Sequence, residues 1–137
     1  MLAVKNILFI TVLIYAAYSD VKTRIIPDRV HIFIILVSFI ANFNLISSLK
    51  GLFFLPIPFI IAILINYNCL GGGDIKLIVA IGFFLGFKKG ILALIIGQSI
   101  AVLAAFYLKK YKRKGYTMPM ALFLAIGSFI SLLIGKI

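Results

Sequence analysis

The chain has 137 residues, of which 64% are hydrophobic and 12% charged, whereas a soluble globular domain has about 45–50% apolar and about 25% charged residues. This composition excludes a soluble domain, and because a membrane helix needs about 20 apolar residues, the chain has room for at most six. The formal charge of +11 is carried by short basic segments between apolar runs, which indicates topology signals and contacts with anionic lipids rather than nucleic acid binding. We therefore predict a single all-α polytopic membrane domain over residues 1–137, with about six transmembrane helices.

Six apolar runs separated by polar breaks predict the helices, in chain order, near residues 2–18, 28–46, 52–67, 75–87, 90–108 and 117–135. The first run could also be a signal peptide, with Lys5 in its basic region and Ala16-Ala17 near a cleavage site. It is long for a signal sequence and everything after it is also membranous, which favours an uncleaved first helix.

The third and fourth predicted helices contain residues that alter helix packing. Pro56 and Pro58 should bend or loosen the third helix, which membrane bundles tolerate. The fourth helix is short, and Gly82 and Gly86 form a Gly-xxx-Gly pair that would let a neighbouring backbone approach closely. We therefore expect the fourth helix to be packed inside the bundle.

The distribution of basic residues predicts the orientation of the helices in the membrane. One side has five: Lys5, Lys50, Lys88, Lys89 and Lys136. The loops after the first, third and fifth helices have nine: Lys22, Arg24, Arg29, Lys76, Lys109, Lys110, Lys112, Arg113 and Lys114. The positive-inside rule then predicts that these loops face the cytoplasm and that both termini face outward.

The three acids of the chain, Asp20, Asp28 and Asp74, all fall in the first and third loops, on the predicted cytoplasmic side. Asp20 ends the first helix and Asp74 opens the fourth, so their carboxylates can meet at one membrane depth. Two carboxylates at a semi-dry interface cannot easily both ionise, which leaves one to activate water and one to protonate the leaving group. This is the chemistry of aspartic peptidases, and Gly71-Gly72-Gly73 would let a substrate backbone run beside Asp74.

Structural roles are an alternative for each aspartate. Asp74 could cap the fourth helix, and Asp28 could be a first-turn acid after Pro27 that complements the helix dipole. Asp20 lies at the carboxyl end of a helix, where the dipole disfavours an anion, so its alternative is an ion pair with Lys22 or Arg24.

These residues resemble the motifs of type IV prepilin peptidases. The segment Ser19-Asp20-Val21-Lys22-Thr23-Arg24-Ile25-Ile26-Pro27-Asp28 is similar to the first-loop motif of that family, in which an Asp is followed seven residues later by Pro. Gly71-Gly72-Gly73-Asp74-Ile75-Lys76-Leu77 resembles the second motif, Gly-x-Gly-Asp-x-Lys-Leu. Residues 118–127, with Pro119 near their start, are similar to the beginning of the family's last helix.

The resemblance implies an aspartic endopeptidase of the cytoplasmic membrane that removes the basic leader of prepilins or pseudopilins on the cytoplasmic side. Asp20 and Asp74 would be its catalytic pair, and Gly71, Gly72, Gly73 and Pro27 would bind substrate or support the site. Asp28 would be structural because the family accepts Asp or Asn there. Lys76 could steady Asp74, although residues two apart on a helix do not face each other, and snorkelling to the head groups is an alternative.

The resemblance also bears on cofactors and partners. Larger bacterial members carry an extra cytoplasmic segment with paired cysteines and methylate the trimmed pilin with S-adenosylmethionine, whereas Cys69 is the single cysteine here. We expect a minimal form without methyltransferase activity, cofactor or metal. The expected partners are the leader and helix of a prepilin and the membrane lipids.

Other functions predict different features. A small transporter component would be expected to hold a carboxylate in the middle of a helix, and none occurs. A non-catalytic assembly factor would be expected to lose one of the two aspartates. Cys69 and His31 could form a nucleophilic pair, but an isolated Cys in an apolar run is usually a packing residue. The glycine-rich loop lacks the Gly-Lys-Ser/Thr of a phosphate loop.

Overall fold

The computed structural model describes residues 1–40, 43–67, 71–111 and 118–135. Within these ranges the chain is helical and has no strand. The helices are α1 (Leu2–Thr23), α2 (Asp28–Ser38), α3 (Leu45–Phe54), α4 (Ile57–Ile65), α5 (Gly72–Tyr111) and α6 (Met120–Ile134).

Length and composition identify the membrane-spanning helices. Three helical segments of the described chain are long and apolar enough to cross a membrane: Leu2–Thr23, Leu45–Ile65 and Gly72–Leu108. A shorter apolar helix, Met120–Ile134, follows them. The chain is thus an all-α, multi-pass membrane protein, as its composition predicted, and the total of about six spans stays a prediction.

Several helix boundaries differ from the predicted ones. α1 continues to Thr23 instead of ending near residue 18, so Asp20 lies in its last turn. α1 ends because Arg24 adopts a left-handed conformation (φ 57°, ψ 20°) and returns its N–H to the carbonyl of Asp20. α2 ends at Ser38 rather than near 46.

The third predicted helix begins earlier than residue 52 and is interrupted. It is divided into α3 and α4 at Leu55 and Pro56, where the proline ring cannot donate a backbone hydrogen bond. The prediction that the prolines disturb this helix is confirmed.

The fourth and fifth predicted helices are both found within α5, as two helices that meet at a kink at Gly86 (φ 75°, ψ 179°). This backbone conformation is essentially restricted to glycine. The kink frees the N–H of Phe87, which donates to Ser47 Oγ at 3.3 Å. Lys88 and Lys89, which we expected between the two helices, lie in the first turn after the kink.

The two parts of α5 run in opposite directions. Before the kink, α5 leads from Asp74 to Phe84, whose ring stacks on Phe9 of α1 with centroids 3.8 Å apart. After the kink it returns along α6. Two contacts show this: Ser131 Oγ, near the end of α6, donates to the carbonyl of Lys89, and Gly97 lies against Phe123, near the start of α6.

Glycines make the close contacts of α5 possible. A Cβ atom placed on Gly82 would lie 2.6 Å from the carbonyl oxygen of Gly51 on α3, and one placed on Gly97 would lie 2.7 Å from that of Phe123. Both distances are shorter than real Cβ contacts. The prediction that Gly82 admits a neighbouring backbone is confirmed.

The ends of the bundle differ in polarity. At one end the buried Lys5 donates from Nζ to the carbonyl of Ser38 at 2.7 Å, which satisfies the carboxyl terminus of α2. At the opposite end lie Asp20, at the carboxyl end of α1, and Asp28 and Asp74, at the amino ends of α2 and α5. We call this second end the aspartate end.

Candidate active site

Asp20 is held at the aspartate end by the amino terminus of α6. Asp20 is only 7% exposed, and its Oδ2 accepts a hydrogen bond from the backbone N–H of Ala121 at 3.1 Å. Ala121 is the second residue of α6, and such first-turn N–H groups have no partner within their own helix. The amino-terminal dipole of α6 thus offsets the unfavourable position of Asp20 at the end of α1.

An ion pair of Asp20 with Lys22 is not what the structure shows. The Nζ of Lys22 lies over the ring of Tyr18, 5.7 Å from its centroid. Arg24, the other partner considered, lines the same cleft as Asp20.

Asp74 is the third residue of α5, which begins at Gly72. Asp74 is therefore in the first turn rather than at the N-cap position that the alternative hypothesis gave it. From this position a carboxylate can reach back to the N–H that precedes the helix, and the Gly71 backbone donates to it. The Asp74 carboxylate also lines a cleft at the aspartate end.

The structure brings Asp20 and Asp74 together in one cleft of about 420 Å³. The two carboxylates are close enough to repel each other electrostatically. The other residues that line the cleft come from the loop after α1, the first residue of α2 and the start of α5: Arg24, Ile25, Ile26, Pro27, Asp28, Gly71, Gly72, Gly73 and Lys76. A cleft of this size is typical of sites that bind small molecules or short chain segments.

Gly71, Gly72 and Gly73 differ from the glycines that pack helices together. A Cβ atom on Gly72 would have no heavy atom within 4 Å, and one on Gly73 would meet only Ile26, at 3.7 Å. One on Gly71 would touch Asp74 Oδ2 at an ordinary 3.4 Å. The missing side chains therefore leave open space beside Asp74 instead of admitting another helix.

Asp28 and Lys76 form an ion pair at the mouth of the cleft. Lys76 Nζ donates to Asp28 Oδ1 at 2.9 Å, and the side chain of Asp28 is 72% exposed. The hydrogen bond and the charge of Lys76 hold the pKa of Asp28 below its usual range. Lys76 thus joins α5 to the start of α2, and this contact replaces the expected support of Asp74.

Asp28 also has the first-turn position that its alternative role predicted. It is the first residue of α2, and Pro27 is the N-cap with an extended backbone (φ −61°, ψ 137°). The loop before it is fixed by Ser19 Oγ, which donates to the carbonyl of Ile25 at 2.9 Å.

Comparison with known proteins agrees with the motifs around Asp20 and Asp74. Residues 7–135 match the model of the type IV leader peptidase family. The chain belongs to this family. Over 140 aligned residues it is 35% identical to the prepilin leader peptidase/N-methyltransferase of Bacillus subtilis (strain 168), an alignment that covers 94% of the chain and 55% of the relative. The chain thus spans about half the length of that relative, and no solved structure shows a significant match.

Family membership confirms the resemblance inferred from the motifs around Asp20 and Asp74.

The alternative nucleophilic pair that the sequence suggested was His31 with Cys69. His31 is buried, with Nδ1 3.8 Å from Asp28 Oδ1, whereas Cys69 lies outside the described residues. Within the described ranges no three His, Cys, Asp or Glu residues form a group that could hold a metal ion.

The sequence did not predict two features of this leader peptidase fold. The N–H of Ala121 bonds to a residue about a hundred positions earlier, and only the Pro119 motif drew attention to the start of α6. Arg24 lines the cleft and has a left-handed backbone conformation at the end of α1. No sequence signal marks that conformation in an arginine.

Proposed function

We propose that this chain is an aspartic endopeptidase that removes the leader from prepilin or pseudopilin precursors. The observation that carries the proposal is the pair of carboxylates, Asp20 and Asp74, which come from different helices and line one cleft at one end of the bundle. A purely structural use of these aspartates would not require both to border the same cleft.

The reaction would follow from the electrostatics of such a pair. Since two close carboxylates resist ionising together, one would be protonated and the other charged. The charged carboxylate takes a proton from water, and the water oxygen attacks the carbonyl carbon of the scissile peptide bond. The protonated one gives its proton to the carbonyl oxygen as the intermediate forms. The peptide bond then breaks as the leaving amine takes the proton that the first carboxylate removed from water, and a hydroxyl of the intermediate returns a proton to the second carboxylate.

The surroundings of the pair support a peptide substrate. The open space over Gly72 and Gly73 would let an extended backbone approach Asp74 without side-chain obstruction. Asp20 would be kept in position by the N–H of Ala121. Lys76 and Asp28 would fix the relative position of α5 and α2 at the mouth of the cleft.

Orientation in the membrane belongs to the same proposal. The exposed Lys22, Arg24 and Arg29 surround the aspartate end, and the positive-inside rule favours the cytoplasm for this end. Cleavage would then occur on the cytoplasmic side of the cytoplasmic membrane, with both termini outside.

Cleavage of a defined substrate tests the function. The purified protein in lipid vesicles is mixed with a prepilin-like polypeptide that has a basic leader, a glycine at the cleavage site and an apolar segment after it. We expect a single cut after that glycine, identified by mass spectrometry of both products. Absence of cleavage by folded wild-type protein over a panel of such substrates would favour the non-catalytic assembly factor.

A further inference from the structure

His31 is a buried polar side chain beside the aspartate cleft that the proposed reaction does not use. It lies one turn into α2, and the residue is 6% exposed. Both ring nitrogens are buried, and neither completes a hydrogen bond within the described part of the chain. A buried donor without a partner destabilises the folded state, so such groups are rare in proteins and are often connected with function.

Acceptor groups surround the His31 ring. Its Nδ1 lies 3.8 Å from Asp28 Oδ1, and the carbonyl groups of Gly73 and Asp28 are near enough to favour a proton on the ring. Burial nevertheless lowers the pKa of His31, so the ring is neutral at neutral pH and carries one N–H. Because Asp28 Oδ1 already accepts a hydrogen bond from Lys76, the carbonyl of Gly73 is the acceptor on α5 that this N–H can bind.

The His31 ring and the Gly73 carbonyl are close to each other but do not have hydrogen-bond geometry in the free protein. A small movement of the start of α5 would complete the bond, and hydrogen bonds at active sites often tighten only when substrate binds. Packing does not prevent this movement, since a Cβ atom on Gly73 would meet only Ile26, at 3.7 Å. The contact is therefore available to a substrate-bound state.

The start of α2 faces α5 on both sides of Asp74. Gly73, which is close to His31, directly precedes Asp74, and Lys76, two residues after it, donates to Asp28 at 2.9 Å. The Asp28–Lys76 pair is exposed, whereas His31 is buried. Because water weakens an exposed ion pair, the buried contact is better suited to fix the backbone at Asp74.

We propose that His31 is a positioning residue: its N–H binds the carbonyl of Gly73 when substrate enters the cleft and thereby holds Asp74 at the distance from Asp20 that the reaction requires. The proposal rests on the proposed function and adds to that site a residue outside the pair of carboxylates. His31 acts through the backbone of α5 and does not touch the reacting atoms.

Three replacements of His31 separate the hydrogen bond from the volume of the ring. Leucine fills the space without a donor, whereas asparagine and glutamine place an amide N–H near the positions of Nδ1 and Nε2 and do not titrate. On the prepilin-like substrate, kcat should fall about tenfold in His31→Leu, the effect of one lost hydrogen bond, and KM should not change. Either His31→Asn or His31→Gln should restore kcat to within about threefold of the wild-type value.

The pH profile of kcat reports the distance between the two carboxylates. Their repulsion keeps one proton on the pair up to a higher pH. If His31→Leu lets Asp74 move away from its partner, the repulsion weakens, and the alkaline limb of the profile should move to lower pH. The other charged groups that line the cleft, Arg24 after α1, Asp28 on α2 and Lys76 on α5, are the same in the variant. The amide variant that restores kcat should keep the wild-type alkaline limb, which excludes titration of His31 as its cause.

Ile34→Ala is the matched control for loss of packing. Ile34 lies almost one turn further along α2 and is fully buried, so this variant should be less stable than the wild type. It should keep the wild-type kcat and alkaline limb when all rates are measured below the unfolding transition. An alkaline limb that moves as far in Ile34→Ala as in His31→Leu would count against a specific role of His31 and overturn the proposal.

NMR spectroscopy tests the proposal without replacing His31. His31 is the single histidine of the chain, so labelling histidine with a nitrogen isotope gives the signals of this ring alone. In the inactive Asp20→Asn variant with bound substrate, the spectrum should show one neutral tautomer whose ring N–H exchanges slowly with water. Two tautomers in comparable amounts, or a ring N–H in fast exchange, would overturn the proposal even if the His31 variants do not fold.

The kinetic outcomes distinguish this proposal from the proposed function. With normal cleavage by the wild type, an unchanged kcat or an unmoved alkaline limb in His31→Leu would overturn the His31 proposal alone. A loss confined to KM, or failure of both amide variants to exceed the kcat of His31→Leu, would do the same. Failure of the wild type to cleave would overturn the proposed function and, with it, the role of His31.

Discussion

Replacement of Gly127 by alanine should loosen the packing of α6 on α5. A Cβ atom placed on Gly127 would lie 2.7 Å from the backbone nitrogen and 2.9 Å from the Cα of Gly97, whereas ordinary van der Waals contact begins near 3.4 Å. These neighbours are backbone atoms, so the two helices must separate by about 0.5 Å or more. A gap of this size loses about a quarter of the dispersion energy at the contact. Overpacking of this kind costs about 1–3 kcal/mol of unfolding free energy.

The same displacement should reach the candidate active site. Ala121 lies on α6 less than two turns from Gly127, and its N–H donates to Asp20 Oδ2 at 3.1 Å. A shift of about 0.5 Å would lengthen this contact to about 3.6 Å, which is no longer a hydrogen bond. We therefore expect Gly127→Ala to reduce turnover as well as stability.

Two assays on the same preparations check this reasoning. The free energy of unfolding is measured by denaturant titration in mixed micelles, and turnover is measured on the prepilin-like substrate below the unfolding transition. Ala105→Leu, which also adds volume but faces away from the bundle, is the control and should leave both quantities unchanged. If Gly127→Ala had both the stability and the turnover of the wild type, the account of α5–α6 packing would be refuted.

Three further predictions concern other parts of the molecule. Because the pKa of Asp28 is lowered in the folded protein, its ion pair with Lys76 should stabilise at neutral pH and lose this effect as the pH falls below the ordinary aspartate value of about 3.9; a stability difference between wild type and Asp28→Asn that persists at lower pH would contradict this. Gly86→Ala should lower the melting temperature because of the positive φ at the kink, and an unchanged melting temperature would show that α5 adopts another backbone there. In a Cys69→Ala background, an impermeant thiol reagent added to intact cells should label a cysteine at position 50 and not one at position 22; the reverse pattern would invert the proposed orientation.

Local sequence signals predicted much of the fold. The apolar runs identified the helical segments, Pro56 predicted the break between α3 and α4, and Gly82 predicted the close approach of α3. These features depend on backbone chemistry within a few residues. Gly86 was recognised only as a packing residue, because its positive φ follows from the return of α5 along α6 and not from its neighbours in sequence.

The candidate site was predicted in part. The topology of alternating helices was enough to bring Asp20 and Asp74 to the same end, and the motifs around them identified the family. The partner of Lys76 was not predicted, since the side chain bonds to Asp28 at the start of α2 rather than to Asp74 on its own helix. The contact of Asp20 with Ala121 likewise depends on which helices become neighbours, and residue spacing does not specify that.

The measurement that tests the central claim most directly is the rate of substrate cleavage by Asp20→Asn, Asp74→Asn and the double variant. Asparagine keeps the shape of each side chain but cannot exchange the proton that the reaction needs. Each single variant should lose activity by at least about a hundredfold, and the double variant should lose little more, because the two groups act as a unit.

Asp28→Asn is the matched control in the same assay, since its exposed carboxylate pairs with Lys76 at the mouth of the cleft. It should retain most of the wild-type rate, and all four variants should insert into the membrane and remain folded. Turnover near the wild-type rate in either Asp20→Asn or Asp74→Asn would contradict the assignment of the pair.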